Sequence, residues 1–73
     1  MTKREMIQEM ANYFYWDTES DKEMAIDKIQ ETCSQEEVEN AYYSIKKEMR
    51  SYMEVEIPAY YFQPLYKKAE EAK

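Results

Sequence analysis

Apolar residues recur every three or four positions along three stretches of the chain, a spacing typical of helices that bury one side. The three stripes consist of Met6, Ile7, Met10, Tyr13 and Phe14 in residues 3–15, of Ala25, Ile26 and Ile29 in residues 21–32 with Cys33 directly after them, and of Val38, Ala41, Tyr42, Ile45, Met49 and Tyr52 in residues 35–53. Glycine, which many hairpin turns require, is absent. The pattern predicts an all-α fold with three helices at about these positions.

Capping boxes mark the start of each predicted helix. In this motif a Ser or Thr side chain accepts a hydrogen bond from the amide three residues later, and a Glu at that later position accepts one from the amide of the cap. The three predicted boxes are Thr2 with Glu5, Ser20 with Glu23, and Ser34 with Glu37. Each box stands directly before an apolar stripe, so the caps and the periodicity predict the same helices.

The C-terminal part of the chain has a different pattern. The sequence MEVEIP alternates apolar and acidic residues, which predicts an extended link over residues 54–57. Residues 58–73 begin at Pro58 and contain Pro64, and either proline suits the first turn of a helix. We expect this segment, with or without a short fourth helix, to pack across the three-helix domain, so that residues 1–73 form a single domain.

The composition excludes several classes of function. The chain has no His for proton transfer, no glycine-rich phosphate loop and no nucleophile beside an obvious base, so we expect no enzymatic activity and no cofactor. The single Cys33 provides neither an internal disulfide nor a thiolate metal site, and we expect no metal. The N-terminal MTKREMIQEM lacks the apolar run of a signal peptide, and no stretch is apolar enough to span a membrane. These features predict a cytoplasmic protein.

Acidic residues are concentrated in the middle of the chain. The net charge is −6, and residues 17–39 contain nine carboxylates against Lys22 and Lys28. The carboxylates most suited to a partner form an acidic strip of Glu19, Glu23, Asp27, Glu31 and Glu36. Glu23, Asp27 and Glu31 follow one another at i, i+4 and i+8, and like charges at this spacing destabilise an isolated helix by roughly 0.2–0.5 kcal/mol per pair. Their separation of about 6 Å is close to the phosphate spacing of a nucleic-acid strand. The alternative is a solvated face that only keeps the protein soluble.

Aromatic side chains exceed the needs of a small core. The chain has eight Tyr, two Phe and one Trp, and four of these lie side by side in NYFYWDTES at residues 12–20. Tyr13 and Phe14 belong to the first stripe, Tyr15 falls opposite it, and Trp16 lies beyond its edge. Tyr15 and Trp16 therefore either wrap around the helix end or face a partner. We take Tyr15, Trp16 and Tyr43 as candidate partner-binding aromatics, and we expect Tyr61, Phe62 and Tyr66 to form a second small cluster.

These features favour a non-catalytic protein that binds another protein. A small acidic helical chain of this type is similar to inhibitors carried by bacteriophages and mobile elements, some of which act against host defence. Our first hypothesis is an inhibitor or regulator of a nucleic-acid-handling protein, in which the acidic strip occupies a basic groove as a mimic of DNA. The second is an adaptor or homo-oligomer with an aromatic interface.

Direct nucleic-acid binding is a third hypothesis, and the charge distribution disfavours it. The close joint between the second and third predicted helices resembles a helix-turn-helix. However, Glu36, Glu37 and Glu39 would then lie where phosphate contacts belong. Only Tyr43, Lys46, Lys47 and Arg50 form a small basic and aromatic patch, and its alternative interpretation is a solvated face. The net charge likewise argues against an anionic membrane surface.

Overall fold

The computed structural model describes residues 1–51 and 53–72, and these residues form four helices and no strand. The helices are α1 (Lys3–Ala11), α2 (Glu19–Thr32), α3 (Gln35–Glu48) and α4 (Glu56–Glu71). The predicted all-α fold is confirmed, and the fourth helix is present. Tyr52, which belongs to the predicted third stripe, and Lys73 lie outside the described residues. Among the described residues, no helix combines the length and apolar character that crossing a bilayer requires.

Two of the three predicted capping boxes are present. At the start of α1, the Glu5 amide donates to Thr2 Oγ1 over 3.1 Å and the Thr2 amide donates to Glu5 Oε1 over 2.8 Å. At the start of α3, the Glu37 amide donates to Ser34 Oγ over 3.1 Å and the Ser34 amide donates to Glu37 Oε1 over 2.9 Å. Both helices therefore begin where the sequence predicts, because these contacts are local.

The predicted cap at Ser20 is wrong, since α2 begins two residues earlier. Thr18 is the N-cap, and its Oγ1 accepts a hydrogen bond of 3.0 Å from the Asp21 amide. Ser20 and Glu23 lie inside the helix. Thr18 and Asp21 have the same three-residue spacing as a capping box, so the earlier start satisfies an amide equally well and also adds a helical hydrogen bond from Lys22 to Thr18.

The first and third helices are shorter than the apolar stripes predicted. Helix α1 ends at Ala11 rather than near residue 15, and the amides of Tyr13 and Phe14 instead close tight turns onto the carbonyls three residues before them. Helix α3 ends at Glu48 rather than near residue 53, because Met49 has extended backbone angles. Leaving the helix lets Phe14 reach across to Phe62, with 5.0 Å between the ring centroids. An early exit from α1 thus buries an aromatic against α4.

Helix α4 replaces most of the predicted extended link and is longer than expected. Val55 has helical backbone angles, and Glu56 and Ile57 belong to the helix. Pro58 is its third residue, where the missing N–H has no intrahelical partner to lose. Pro64 lies in the interior of a helix of 16 residues. A proline in a helix interior usually breaks the helix, yet α4 continues through Pro64. We attribute this to the packing of α4 against both α2 and α3.

All four helices contribute to one core. Helix α4 packs mainly against α2 and α3, and α1 packs against the same two helices from another side. The most completely buried side chains are Met6, Ile7, Met10, Ile26, Ile29, Val38, Ile45 and Pro58. Phe62, Leu65 and Ala69 provide the buried side of α4, and Tyr61 and Tyr66 pack partly buried beside them. The expected packing of the C-terminal segment across the other helices is confirmed, but Tyr61, Phe62 and Tyr66 join the main core and do not form a second cluster.

Candidate protein-binding surface

The row of acids on α2 is bound by an arginine of α1. Arg4 Nη2 lies 2.8 Å from Glu23 Oε2, and Arg4 Nη1 lies 2.7 Å from Asp27 Oδ1. The same Nη1 donates to Gln30 Oε1 over 2.8 Å. The hydrogen bond to Asp27 is the main reason that the pKa of Arg4 is raised. The destabilising repulsion expected for an isolated helix is therefore offset for two of the three acids in the row, because Glu23 and Asp27 share a cation.

The rest of the acidic strip has no such partner. Glu31 is the C-terminal member of the row, Glu19 extends the row by one turn at its N-terminal end, and Glu36 lies in the first turn of α3. All three are exposed and form no hydrogen bond or ion pair with another described residue. Glu23 and Asp27 also remain 50% and 58% exposed while they contact Arg4. The strip is thus an open acidic face whose centre is partly neutralised and whose ends are not.

The three candidate aromatics have different environments. Tyr15 is 89% exposed and Tyr43 is 56% exposed, as a partner-binding role requires. Trp16 is partly buried, and its Nε1 donates to the Ala11 carbonyl at the end of α1 over 2.9 Å. Its ring also packs against Tyr66, with 5.9 Å between centroids. Trp16 therefore wraps around the helix end, the first of the two alternatives predicted for it.

Tyr15 and Trp16 form one wall of a cleft between α2 and α4, which we call the α2–α4 cleft. The cleft encloses about 370 Å³. Met24 of α2, which is 54% exposed, and Tyr66 of α4 supply its other apolar surfaces. Neither was a predicted site residue, although Met24 could have been noticed because it lies off the buried stripe of α2. Tyr43 on α3 does not line this cleft.

The rim of the α2–α4 cleft is acidic. Asp17, Asp21 and Glu70 line it, and Lys28 is the one basic residue among its lining groups. The Glu70 carboxylate interacts with the hydroxyl of Tyr66 and, together with burial and the Asp21 carboxylate, raises the pKa of that phenol. Two acids from different helices therefore converge on one aromatic side chain. Such an arrangement attracts a cation and repels an anion.

The basic patch on α3 is partly used inside the molecule. Lys46 Nζ lies 2.5 Å from Glu9 Oε1 of α1, and the Tyr42 hydroxyl donates to Glu9 Oε2 over 2.8 Å. These contacts, with Lys46 as the main cause, lower the pKa of Glu9. Tyr43, Lys47 and Arg50 remain exposed on the outer side. One of the three cations of this patch thus joins α3 to α1, which leaves a weak basis for contact with nucleic acid.

Cys33 lies at the joint between α2 and α3 and is 2% exposed. Its Sγ is 3.7 Å from the Leu65 carbonyl, and burial raises the pKa of the thiol. A buried thiol with a raised pKa is a poor nucleophile, so the geometry supports the core role expected for this residue. Among the described residues, no group of three or more acids and thiols has the arrangement of a metal site.

Comparison with known proteins finds no relative of this chain. No protein-family model, no curated protein and no solved structure matches the chain. The function is therefore argued from the surface chemistry alone.

Proposed function

We propose that this chain is a non-catalytic protein-binding module that recognises a basic surface of its partner. The supporting observation is that the acidic strip and the α2–α4 cleft are adjacent on the exposed side of α2. At 100° per residue, the row that ends at Glu31 is followed around the helix by Met24, then by Lys28 and then by Asp21. A partner that covers this side of α2 meets carboxylates and exposed apolar surface together. The carboxylates steer a basic partner during association, and the apolar surface adds affinity once it is covered.

Arg4 changes how the strip would work. Holding Glu23 and Asp27 in place reduces the conformational entropy that they would lose on binding. The same contact offsets their charge, so an approaching Lys or Arg is attracted mainly by the unpaired Glu19 and Glu31. We therefore expect the two ends of the row to contribute more to binding than its centre, rather than four equivalent charges imitating a phosphate backbone.

The partner class follows from this chemistry. Proteins that handle nucleic acids expose basic grooves, and a small acidic helical protein can block such a groove. We therefore propose an inhibitor or regulator of a nucleic-acid-handling protein, of the kind carried by bacteriophages and mobile elements, that binds such a groove through the ends of the row.

The test is an affinity pull-down from the native host with partners identified by mass spectrometry, repeated with two charge-matched variants. The test variant is Glu19→Gln with Glu31→Gln. The control is Glu56→Gln with Glu71→Gln, which changes the net charge by the same amount as the test variant. Glu56 and Glu71 are the first and last residues of α4, just as Glu19 and Glu31 lie near the two ends of α2. All four side chains are exposed, so both variants should fold.

We expect a captured basic protein to dissociate as ionic strength rises, because the contact is between charges. The test variant should capture markedly less of it, and the control should capture as much as the parent chain. Equal capture by parent, test and control chains would show that the acidic row is only a solvated face, and the proposal would then be wrong.

Self-association is a second candidate, favoured by exposed apolar side chains near the start of α4. Tyr60 is 73% exposed, Met53 is 88% exposed and Val55 is 50% exposed. Such residues are common where copies of a chain meet. Light scattering coupled to size-exclusion chromatography over a range of concentrations would test this. A dimer that Tyr60→Ser converts to a monomer supports an adaptor or homo-oligomer, and a monomer at every concentration excludes it.

A further inference from the structure

We propose that the α2–α4 cleft binds an extended peptide segment of the partner, in which apolar side chains alternate with Arg or Lys. This inference rests on the proposed function and names the chemistry of the segment that the module recognises. It concerns the cleft rather than the acidic strip, so each can be tested without the other.

The floor and walls of the cleft favour an apolar side chain. Tyr15 and Met24 are large and more than half exposed, at 89% and 54%. The Tyr66 ring also lines the cleft and packs against Trp16, with 5.9 Å between the ring centroids. The volume of about 370 Å³ falls within the range of roughly 300–1,000 Å³ that is common for ligand sites. An apolar side chain placed here would remove exposed aromatic and thioether surface from water.

The rim of the cleft selects a cation beside that apolar group. Asp17, Asp21 and Glu70 outnumber Lys28, and none of the three acids forms an ion pair with another described residue. A guanidinium or ammonium group placed near Asp21 and Glu70 would also lie close to the Tyr66 ring, where a cation–π contact adds to the charge attraction. Anionic and purely apolar ligands lack this complementarity.

The shape of the surface favours a chain segment over a small cation. A second depression of about 570 Å³ continues along α4 from the cleft, and it shares Tyr66 and Glu70 with the cleft. Tyr60, Pro64 and Lys67 also line the second depression. Two depressions in line, joined at one aromatic residue, suit successive side chains of an extended peptide.

The probe is a capped peptide of alternating leucine and arginine, compared with the same peptide carrying neutral citrulline in place of arginine. Trp16 is the only tryptophan of the chain, and its side chain lines the cleft while its indole N–H donates to the Ala11 carbonyl. The indole N–H therefore gives a single resolved signal in a ¹H–¹⁵N NMR spectrum from a side chain at this site. Titration with the arginine peptide should shift that signal, together with the backbone signals of Met24 and Tyr66. The citrulline peptide should bind more weakly.

A matched pair of variants tests the rim. Asp21→Asn with Glu70→Gln should weaken binding of the arginine peptide by about threefold per carboxylate, about tenfold together, as expected for exposed ion pairs. Glu56→Gln with Glu71→Gln, which has the same net charge but leaves the cleft intact, should bind as the parent does. Met24→Gln gives a second check. It removes apolar surface from the cleft without altering the charge, so it should also weaken binding of the arginine peptide.

Several outcomes would overturn the inference. They are equal binding of the arginine and citrulline peptides, unchanged binding by the Asp21→Asn/Glu70→Gln variant, or a shift pattern on α3 instead of the cleft. Equal affinity for arginine amide alone would overturn the assignment to a peptide. If a basic host protein is captured through Glu19 and Glu31 while these peptides fail, the proposed function stands and only this inference is wrong.

Discussion

Replacing Trp16 with alanine should destabilise the fold. The sequence indicated Trp16 as a candidate partner-binding residue, but in the structure its side chain is partly buried. Complete burial of a large aromatic is worth about 3–5 kcal/mol when it is truncated to alanine. Trp16 is only partly buried, so roughly half of that, about 2 kcal/mol, is the better figure. Loss of the indole hydrogen bond to the Ala11 carbonyl adds about 1 kcal/mol. The total loss should be about 3 kcal/mol.

Trp16→Phe separates these two contributions. Phenylalanine keeps a ring against Tyr66 but removes the indole N–H. The Ala11 carbonyl would still accept the Phe14 amide at 3.1 Å, so it would not be left without a partner. The expected cost is therefore about 1 kcal/mol. Tyr15→Ala is the matched control, since Tyr15 is the neighbouring aromatic and is 89% exposed, and it should change stability by less than about 0.5 kcal/mol.

Urea denaturation followed by circular dichroism at the helical band is the suitable assay, because the variants lose the only tryptophan. A chain of this length is stable by roughly 4–11 kcal/mol, so a loss of 3 kcal/mol would be a clear shift in the midpoint. If Trp16→Ala unfolds within about 0.5 kcal/mol of the parent, the indole does not anchor the end of α1. Trp16 would then return to the set of partner-binding residues.

The remaining predictions concern charge and backbone. Arg4→Gln should lower the urea midpoint at low salt, because the acids of α2 lose their shared cation, and the difference from the parent should shrink at high salt. Lys68 and the Ser34 amide hold the pKa of Glu37 at about 2 rather than 4.5. The ionised Glu37 carboxylate therefore stabilises the fold above pH 4.5, and this stabilisation is lost as the pH falls towards 2. Lys68→Met should flatten the stability–pH profile between pH 4.5 and 2. Pro64→Ala should raise the unfolding free energy by about 1–2 kcal/mol in the same urea assay, since the missing helical N–H is restored, and a loss of stability would show that α4 needs proline there.

The sequence by itself determined the helical class and two helix starts. Periodic apolar residues and the capping boxes at Thr2 and Ser34 involve contacts within a few residues, so the pattern identifies them directly. The same local rules selected Ser20 as the cap of α2, whereas the cap in the structure is Thr18, which has the same three-residue spacing to an acid. They also overestimated the breaking effect of Pro64, whose cost is offset by packing against distant parts of the chain.

The candidate surface was only partly visible in the sequence. The acidic row follows from the helical spacing of α2, and it could be predicted. Tyr15 is exposed as expected, although the helix on which that expectation rested ends at Ala11. The role of Arg4 could not, because it depends on how α1 crosses α2, and the two partners are 19 and 23 residues away along the chain. The α2–α4 cleft likewise exists only because α4 packs beside α2 and brings Tyr66 to Trp16. Local sequence fixes which side chains a helix offers, whereas the packing of helices distant in sequence decides which charges are neutralised and which apolar surfaces remain open.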